Sequence, residues 1–388
     1  MTRIVADWLD DSAVQAVCAA VEAKGAQALF VGGCVRNALL KESGSDIDIA
    51  TDARPDDVMK LAEAAGLKAV PTGIDHGTIT VVAEGQGFEV TTFRRDVATD
   101  GRRAVVAFSA DIAEDAARRD FTMNALYARP DGTLIDPLDG LPDLNARRLR
   151  FIGDAETRIR EDYLRILRFF RFHAWYADQS HGFDPEALSA IAATLDGLAS
   201  LSKERVGSEM IKLLSAPDPS PELAVMAQLG VLQSLLPGAD AKALPVVVYF
   251  EQQLMLPNDP IRRLASLGLD VPVDTLRLSR AQTGRLEKLR QGAGQYQRAA
   301  EIGYWQRDLA LDTLVLRSAL DGSVLTETAI EIAKNAASQS LPVSARDLMP
   351  EYQGAALGAR LRQLETAWLA SDFSLSRAEL LDLADDAH

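Results

Sequence analysis

Cysteine is almost absent from this 388-residue chain, with Cys18 and Cys34 as the whole complement. Two cysteines rule out a disulfide framework and a cysteine-based zinc site. Histidine is equally sparse: His76, His173, His181 and His388 are scattered, and no His-Asp pair suggests a metal phosphohydrolase centre. Long apolar runs are missing as well. The strongest apolar patch, Leu244 to Phe250, is interrupted by Pro245 and is far short of a membrane span. The first residues, Met1-Thr2-Arg3-Ile4-Val5, lack a signal peptide's apolar core and cleavage site. These absences set the expectation of a cytoplasmic protein with no membrane partner. Positive charge is short too, with 41 basic against 56 acidic residues and a net charge of −15. That balance argues against nucleic acid as a partner wherever charge is spread evenly.

It is not spread evenly. Between Arg147 and Arg171, eight arginines face the acids Asp154, Glu156, Glu161 and Asp162, leaving the segment net positive by four. A second basic stretch holds Arg277, Arg280, Arg285, Lys288, Arg290 and Arg298 against Glu287. The expectation is that Arg285 and Arg290 make sequence-independent contacts with RNA phosphates.

The stretch from Phe30 to Thr51 organises the remainder. Ala28-Leu29-Phe30-Val31 reads as the end of a buried strand, Gly32-Gly33 as a turn, and Val35 to Leu40 as a helix. A strand, a glycine turn and a helix N-terminus expose backbone N–H groups with no Cβ in the way, which suits a triphosphate. Asp46-Ile47-Asp48-Ile49 follows. Read as a strand, it puts both carboxylates on one face, where they repel unless a cation lies between them. Mg²⁺ beside a bound nucleotide answers that repulsion. Taken singly, each motif has a plainer reading as a turn or a solvated strand face.

A third acid lies downstream. Thr78 to Val82 and Gly87 to Phe93 read as a β-hairpin turning at Glu84-Gly85, with Glu89 between apolar neighbours. Pro55 to Leu61 starts a helix. From Arg94 to Arg119 the pattern weakens, with Asp100-Gly101-Arg102-Arg103 expected as a mobile loop. Arg118-Arg119-Asp120 reads as a polar helix start before an apolar run, and Asp136 and Asp139 as turn and cap residues. His76, in Asp75-His76-Gly77, lies near the sheet and is a possible neighbour of the site.

Beyond about residue 146 helices dominate. In Glu161 to Arg171, Tyr163, Ile166, Leu167, Phe170 and Ala174 fall in one apolar arc. Asp162, Arg165, Arg168 and Arg171 step around the opposite side at three-residue intervals. The plain reading is a surface helix with an Asp162–Arg165 ion pair worth a few tenths of a kcal/mol, order of magnitude ~0.3. Arginines partly walled in by aromatics suit anion and base recognition better.

The combination of Gly-Gly, Asp-x-Asp and a lone strand glutamate resembles the polymerase β nucleotidyltransferase superfamily. With the later motifs, the chain resembles the class II tRNA nucleotidyltransferase and poly(A) polymerase family, most like bacterial CCA-adding enzymes. The resemblance is strong over residues 28 to 215. It implies an α+β fold: a polymerase β-type nucleotidyltransferase palm, a small mixed sheet with helices, followed by an all-α neck, body and tail. The implied domains are a head at 1–145, a neck at 146–216 that recognises the base, and a body and tail at 217–388 that bind tRNA. The resemblance further implies that Gly32, Gly33, Arg36 and Arg119 hold the triphosphate, and that Asp46, Asp48 and Glu89 are the catalytic acids holding two Mg²⁺ ions. Asp162, Arg165, Arg168 and Arg171 would read the base, with Leu201 to Glu209 bracing their helix. Asn37 departs from the aspartate that many relatives carry after the motif arginine.

The implied reaction adds CMP, CMP and AMP from CTP and ATP to the tRNA 3′ acceptor end, releasing pyrophosphate. Poly(A) addition, CC- or A-addition alone, and a non-catalytic RNA-binding role are the alternatives. The length of the Asp100 to Arg103 loop favours completing CCA.

Overall fold

The computed structural model describes residues 2–100, 103–296 and 298–385. Gly101 and Arg102, the centre of the expected loop, lie outside the described residues. Two compact units divide the chain: residues 1–216 with 228–235, and residues 217–227 with 236–388.

The first unit is built on a seven-stranded mixed sheet. Helix α1 (Ser12–Glu22) precedes β1 (Leu29–Val31), α2 (Gly33–Leu40), β2 (Asp48–Thr51), α3 (Pro55–Ala64) and β3 (Lys68–Gly73). The hairpin β4 (Thr78–Ala83) and β5 (Gln86–Thr92) follows where the alternating pattern predicts it. Strands β6 (Arg94–Asp100) and β7 (Arg103–Phe108) then form a separate two-stranded sheet. The sequence, whose pattern weakens from Arg94 to Arg119, does not show these two strands. After α4 (Ile112–Ala117) come β8 (Tyr127–Ala128) and β9 (Leu134–Ile135). The sheet order is β3-β4-β5-β2-β1-β8-β9, all antiparallel except β2 beside β5.

That one parallel pair matters most, because its register sets Asp48 directly opposite Glu89. Phe88 and Val90 turn into the core, so Glu89 is driven to the open face.

Helices α5 (Leu141–Asn145), α6 (Ala155–Glu161), α7 (Leu164–Tyr176), α8 (Pro185–Ala193) and α9 (Lys203–Leu214) complete the unit around the sheet. The side chain of Asp136 caps α5 by accepting from Gly140 N and Leu141 N at 2.8 and 2.9 Å. Arg118 to Asn124 does not start an α-helix: α4 ends at Ala117, Phe121 bridges to Phe151, and a single 3₁₀ turn, Thr122–Asn124, follows. Phe121 then packs on Phe151, Phe169 and Phe172, with ring centroids 4.9–6.3 Å apart. This aromatic cluster clamps the segment carrying Arg119 and Asp120 onto α7.

The expected single helix through Asp162 is in fact two. Asp162 has extended backbone (φ −154°, ψ 104°) between α6 and α7. Its carboxylate accepts from Leu164 N at 3.1 Å, a capping bond that starts the second helix. Tyr163 takes the junction because Gly197 leaves room for its ring; a Cβ there would collide with it.

The second unit is helical: α10 (Ser220–Gln228, its last residue in the first unit), α12 (Leu244–Gln253), α13 (Pro260–Ala265), α14 (Arg280–Gln295), α15 (Ala299–Gln306), α16 (Ala310–Asp321), α17 (Glu327–Ala337), α18 (Gly354–Ala370) and α19 (Arg377–Asp385), while α11 (Val231–Leu235) belongs to the first. Its centre holds charge. Arg262 and Arg263 are 1% and 0% exposed, and both bond Glu251, itself fully enclosed. Arg262 reaches on to Asp312 at 2.5 Å, and Arg285 joins Asp312 and Asp259.

Arg285 is therefore an internal ion-pair partner. Arg290, half-buried, donates to Val271 O at 2.9 Å, and Arg298 is committed to Leu369 O and Asp372. The expectation of RNA-facing cations at Arg285 and Arg290 is corrected: both, with Arg298, are committed to protein partners, while Arg280 and Lys288 of the same stretch are exposed. No helix among the described residues is long and apolar enough to cross a membrane.

Removing one partner of a buried ion pair leaves an uncompensated charge, at a cost of about 3–5 kcal/mol. Glu251→Ala, which takes a buried carboxylate from two arginines at once, should lower the free energy of unfolding of the second unit by about that much. Urea denaturation followed by tryptophan fluorescence measures it.

Candidate active site

An open cleft of about 390 Å³ lies over the sheet of the first unit. Its lining brings together Asp48 and Glu89 from the β2–β5 pair with Arg94, Arg118, Arg119, Arg165 and Arg168, and with Asp120 and Asp162 among them. Acids and arginines thus share a space the size of a small ligand.

The two sets differ in how they are supported. The arginines that the sequence singled out are held by protein acceptors. Asp115, 1% exposed, accepts from Arg118 Nε at 2.9 Å, Arg119 Nη2 at 3.0 Å and Tyr127 Oη at 2.7 Å. Tyr127 Oη in turn accepts from Arg119 Nε at 3.0 Å, so the guanidinium is gripped on two edges. Burial would push the Asp115 carboxyl up, but Arg119, Arg118 and the Tyr127 hydroxyl hold it at about 2. Asp120 repeats the device for α7, accepting from Arg168 Nε at 2.7 Å and from Asn124 at 3.0 Å, and it too is held at about 2. Glu209 on α9 accepts from Arg171 Nε at 2.5 Å. The bracing expected from the Leu201 to Glu209 segment is therefore present.

The acids have no such support. Among the described residues, neither Asp48 nor Glu89 has a side-chain hydrogen bond or ion pair with the protein, and Asp46 has none either. Asp48 is pushed up to about 6, first by burial and next by Glu89, with Asp46 adding to the effect and Arg119 opposing it. Among the described residues, no three acidic, histidine or cysteine side chains form a ready metal cage. The donors still fit Mg²⁺, which takes hard oxygens and is commonly held by one or two carboxylates together with substrate phosphates.

The expected residues are not all in one place. Asp48, Glu89, Arg119, Asp162, Arg165 and Arg168 line the cleft together. Asp46 does not lie on the strand: β2 begins at Asp48, and Asp46 is exposed on the preceding loop. Gly32 caps α2 at φ 73°, where a Cβ would sit 3.7 Å from Arg119 Nη1, so the helix start abuts the cleft's arginine. Gly33 opens the helix, with its first amides free of intrahelical partners.

Arg36 is elsewhere: 5% exposed, it bonds Asn124 at 2.6 Å, Asn37 at 2.9 Å and Tyr176 at 2.8 Å, with its guanidinium 3.9 Å from the Tyr176 ring centroid. It does not line the cleft; it ties α2 to α7. Arg171 also lies outside the cleft, beside Trp175 and Tyr176. His76 is exposed and not among the lining residues.

Asp162 and Arg165 share the cleft but not a helix face. Asp162 accepts from Arg205 at 2.6 Å, whereas Arg165 donates to Glu161 at 2.6 Å and to the carbonyls of Arg158 and Arg118. The Asp162–Arg165 ion pair of the plainer reading is absent, and these separate anchors take its place. Sequence reasoning also missed Arg94, Arg118, Asp115 and Asp120. Asp115 had a legible signal, because it sits three and four residues before Arg118 and Arg119.

Residues 28–150 match the poly A polymerase head domain, and residues 182–242 match a probable RNA and SrmB-binding site of polymerase A. The chain is 33% identical over 370 residues to the mitochondrial CCA tRNA nucleotidyltransferase 1 of Danio rerio, covering 91% of this chain and 85% of that protein. It is 40% identical over 224 residues to the CCA-adding enzyme of Levilactobacillus brevis, an alignment spanning 57% of this chain and about half, 55%, of that relative. A crystal structure of the Bacillus stearothermophilus CCA-adding enzyme in complex with CTP superposes with a TM-score of 0.70 at 26% identity, over 96% of this chain and 97% of that one.

The depressed carboxyls of Asp115 and Asp120 have a pH consequence. A group whose folded pKa lies below its unfolded value of about 3.9 stabilises the fold above that value, and loses this as pH falls through the folded pKa. With both held at about 2, each contributes about 2 kcal/mol that disappears between roughly pH 4 and pH 2. Asp115→Asn should be less stable than the parent at pH 7 and show a shallower loss over that window. Thermal unfolding at stepped pH measures both.

Proposed function

Because the chain belongs to the CCA tRNA nucleotidyltransferase and poly(A) polymerase family, we infer that it adds CMP, CMP and AMP from CTP and ATP to the 3′ end of tRNA, releasing pyrophosphate. The observation that carries the reading is the pairing of unpartnered acids at Asp48 and Glu89 with braced arginines across one cleft. Such a cleft suits a nucleoside triphosphate: positive charge for the phosphates on one side, oxygen donors for cations on the other.

Asp48 and Glu89, with Asp46 brought in from its loop, are the residues that would hold two Mg²⁺ ions. When bound, such ions supply Lewis-acid activation of the RNA 3′-hydroxyl and neutralise charge on the departing pyrophosphate. The chain's own side chains do the positioning. Arg119, gripped by Asp115 and Tyr127, and the helix start at Gly32 and Gly33 hold the triphosphate in line, with the Gly33 amide as donor because Gly32 N donates to Leu126 O at 3.4 Å. No covalent intermediate is needed.

Asp162 and Arg165 select the base without a template. Cytosine offers an amino donor beside N3, and adenine an amino donor beside N1. A carboxylate accepts from the amino group while a guanidinium donates to the ring nitrogen. Uracil and guanine present the reverse pattern, and each mismatched contact costs about 1–3 kcal/mol. Arg205 and Glu161 fix the two side chains before the base arrives. Arg168 lies next along the cleft, held by Asp120. The substrates and the two unpaired thiols, Cys18 and Cys34, suit a cytoplasmic setting.

Two experiments test this. The protein is incubated with tRNAs ending before CCA, after C and after CC, and with a generic RNA, and the products are sequenced. Completion of CCA on all three tRNAs is expected; homopolymeric A on the generic RNA would point to poly(A) polymerase instead. Separately, Asp48→Ala should lower turnover by at least about 10³-fold with an unchanged unfolding midpoint, because it removes a repelled charge from the fold and a cation donor from the site. Turnover near the parent's, in Mg²⁺ alone, would contradict the assignment.

A further inference from the structure

Arg165 is held at three points. Its Nη1 donates to Glu161 at 2.6 Å and to the Arg158 carbonyl at 2.9 Å, and its Nη2 donates to the Arg118 carbonyl at 3.0 Å. A guanidinium carries five N–H groups in a fixed fork. Among the described residues these bonds take three of them, which leaves Nε–H and one Nη2–H for a base. Where those two point depends on what fixes the three acceptors.

Glu161 is the acceptor with the least support of its own. It closes α6, and Asp162 after it is extended, so the carboxylate stands at a break between two helices. Arg158 holds it there. Arg158 Nη2 lies 2.5 Å from Glu161 Oε1, while Glu161 Oε2 goes to Arg165. Arg158 also sends Nη1 to the Ala117 carbonyl at 3.0 Å, 41 positions earlier in the chain. Ala117 ends α4 and Arg118 caps it, so both carbonyls are among those a helix end leaves without intrahelical partners. Two arginines, one from α6 and one from α7, therefore close the end of α4, and one glutamate ties them together. The residue that follows those carbonyls is Arg119.

We propose that Arg158 is a positioning residue for base selection: through Glu161 it aims the Arg165 guanidinium, and through Ala117 it sets that guanidinium relative to Arg119. The base-reading arginine and the triphosphate arginine then belong to one unit, so a base is tested against a frame already registered on the phosphates. Arginine suits this junction because two nitrogens of one planar fork serve two acceptors at once. Lysine presents a single nitrogen on a flexible stem and cannot satisfy both with the same geometry. Arg160, on the same helix, has no such part. Its pair with Glu156 is 54% and 45% exposed, against 19% and 13% for Arg158 and Glu161. Exposed pairs of that kind hold little in place. The proposal rests on the reading of Asp162 and Arg165 as the base-selecting pair.

The test compares kcat/KM for CTP and for UTP, at saturating Mg²⁺, on tRNA ending before CCA. In Arg158→Gln the value for CTP should fall about tenfold and that for UTP by less than about twofold, so the preference for CTP shrinks about tenfold. Arg158→Lys should lie between that variant and the parent, and Arg160→Gln should match the parent. Arg165→Ala should abolish the preference. Unfolding midpoints establish that each variant is folded, and Arg158→Lys, which keeps the charge and the stem, carries the test if the glutamine variant does not fold. An equal fall for CTP and UTP overturns the proposal, because a purely structural role costs both alike. A preference lost in Arg165→Ala but intact in both Arg158 variants overturns it as well, by separating the aim of Arg165 from Arg158. A preference that survives Arg165→Ala itself overturns the base-selecting pair, and the proposal with it.

Discussion

The cleft depends on the carboxylates that hold its arginines. A guanidinium that must be desolvated, aimed and kept ionised needs a counter-charge, and Asp115 and Asp120 provide it. Burying those acids alone would be costly, and burying the arginines alone would be too; together each makes the other tolerable. The pairing yields preorganisation. Arg119 reaches its working geometry by folding, so no reorganisation is left for the moment a triphosphate arrives.

The same logic read in reverse marks the acids proposed as catalytic. Asp48 and Glu89 stand opposite each other on the parallel strands, and among the described residues no cation is bonded to either. A fold selected only for stability would pair or remove them. Leaving them unpaired makes the site a receptor for positive charge from outside, while the arginines of the same cleft are a receptor for negative charge. A metal-bound nucleotide supplies both. The net charge of −15 is therefore a poor guide to function here, because the charges that matter are sorted locally.

Much of this was legible in the sequence. The strand, Gly-Gly turn and helix at 29–40, the β4–β5 hairpin and the outward placement of Glu89 all follow from local periodicity and turn chemistry. What failed depended on partners remote in sequence. Asp162 interrupts a segment of helical periodicity because its carboxylate caps α7 and pairs with Arg205, 43 positions away. Arg168 finds Asp120 at a separation of 48, and Arg285 finds Asp259 at 26, so neither role has a local signature. The basic run at 277–298 looked like a phosphate-binding surface because composition counts charges without seeing their partners. Asp46 slipped off the strand for a related reason: alternation says which residues share a face, not where the ladder begins.

The central claim is that side chains of the protein alone, fixed before RNA arrives, choose the base. Equilibrium binding of CTP, ATP, UTP and GTP to the protein with Mg²⁺ and no tRNA tests it most directly. The account predicts that CTP and ATP bind with affinities within about tenfold of each other, and that UTP and GTP bind at least about tenfold more weakly than either, as one mismatched contact of about 1–3 kcal/mol requires. Equal affinity for all four nucleotides would contradict it, and would move base selection from these residues to the RNA-bound complex.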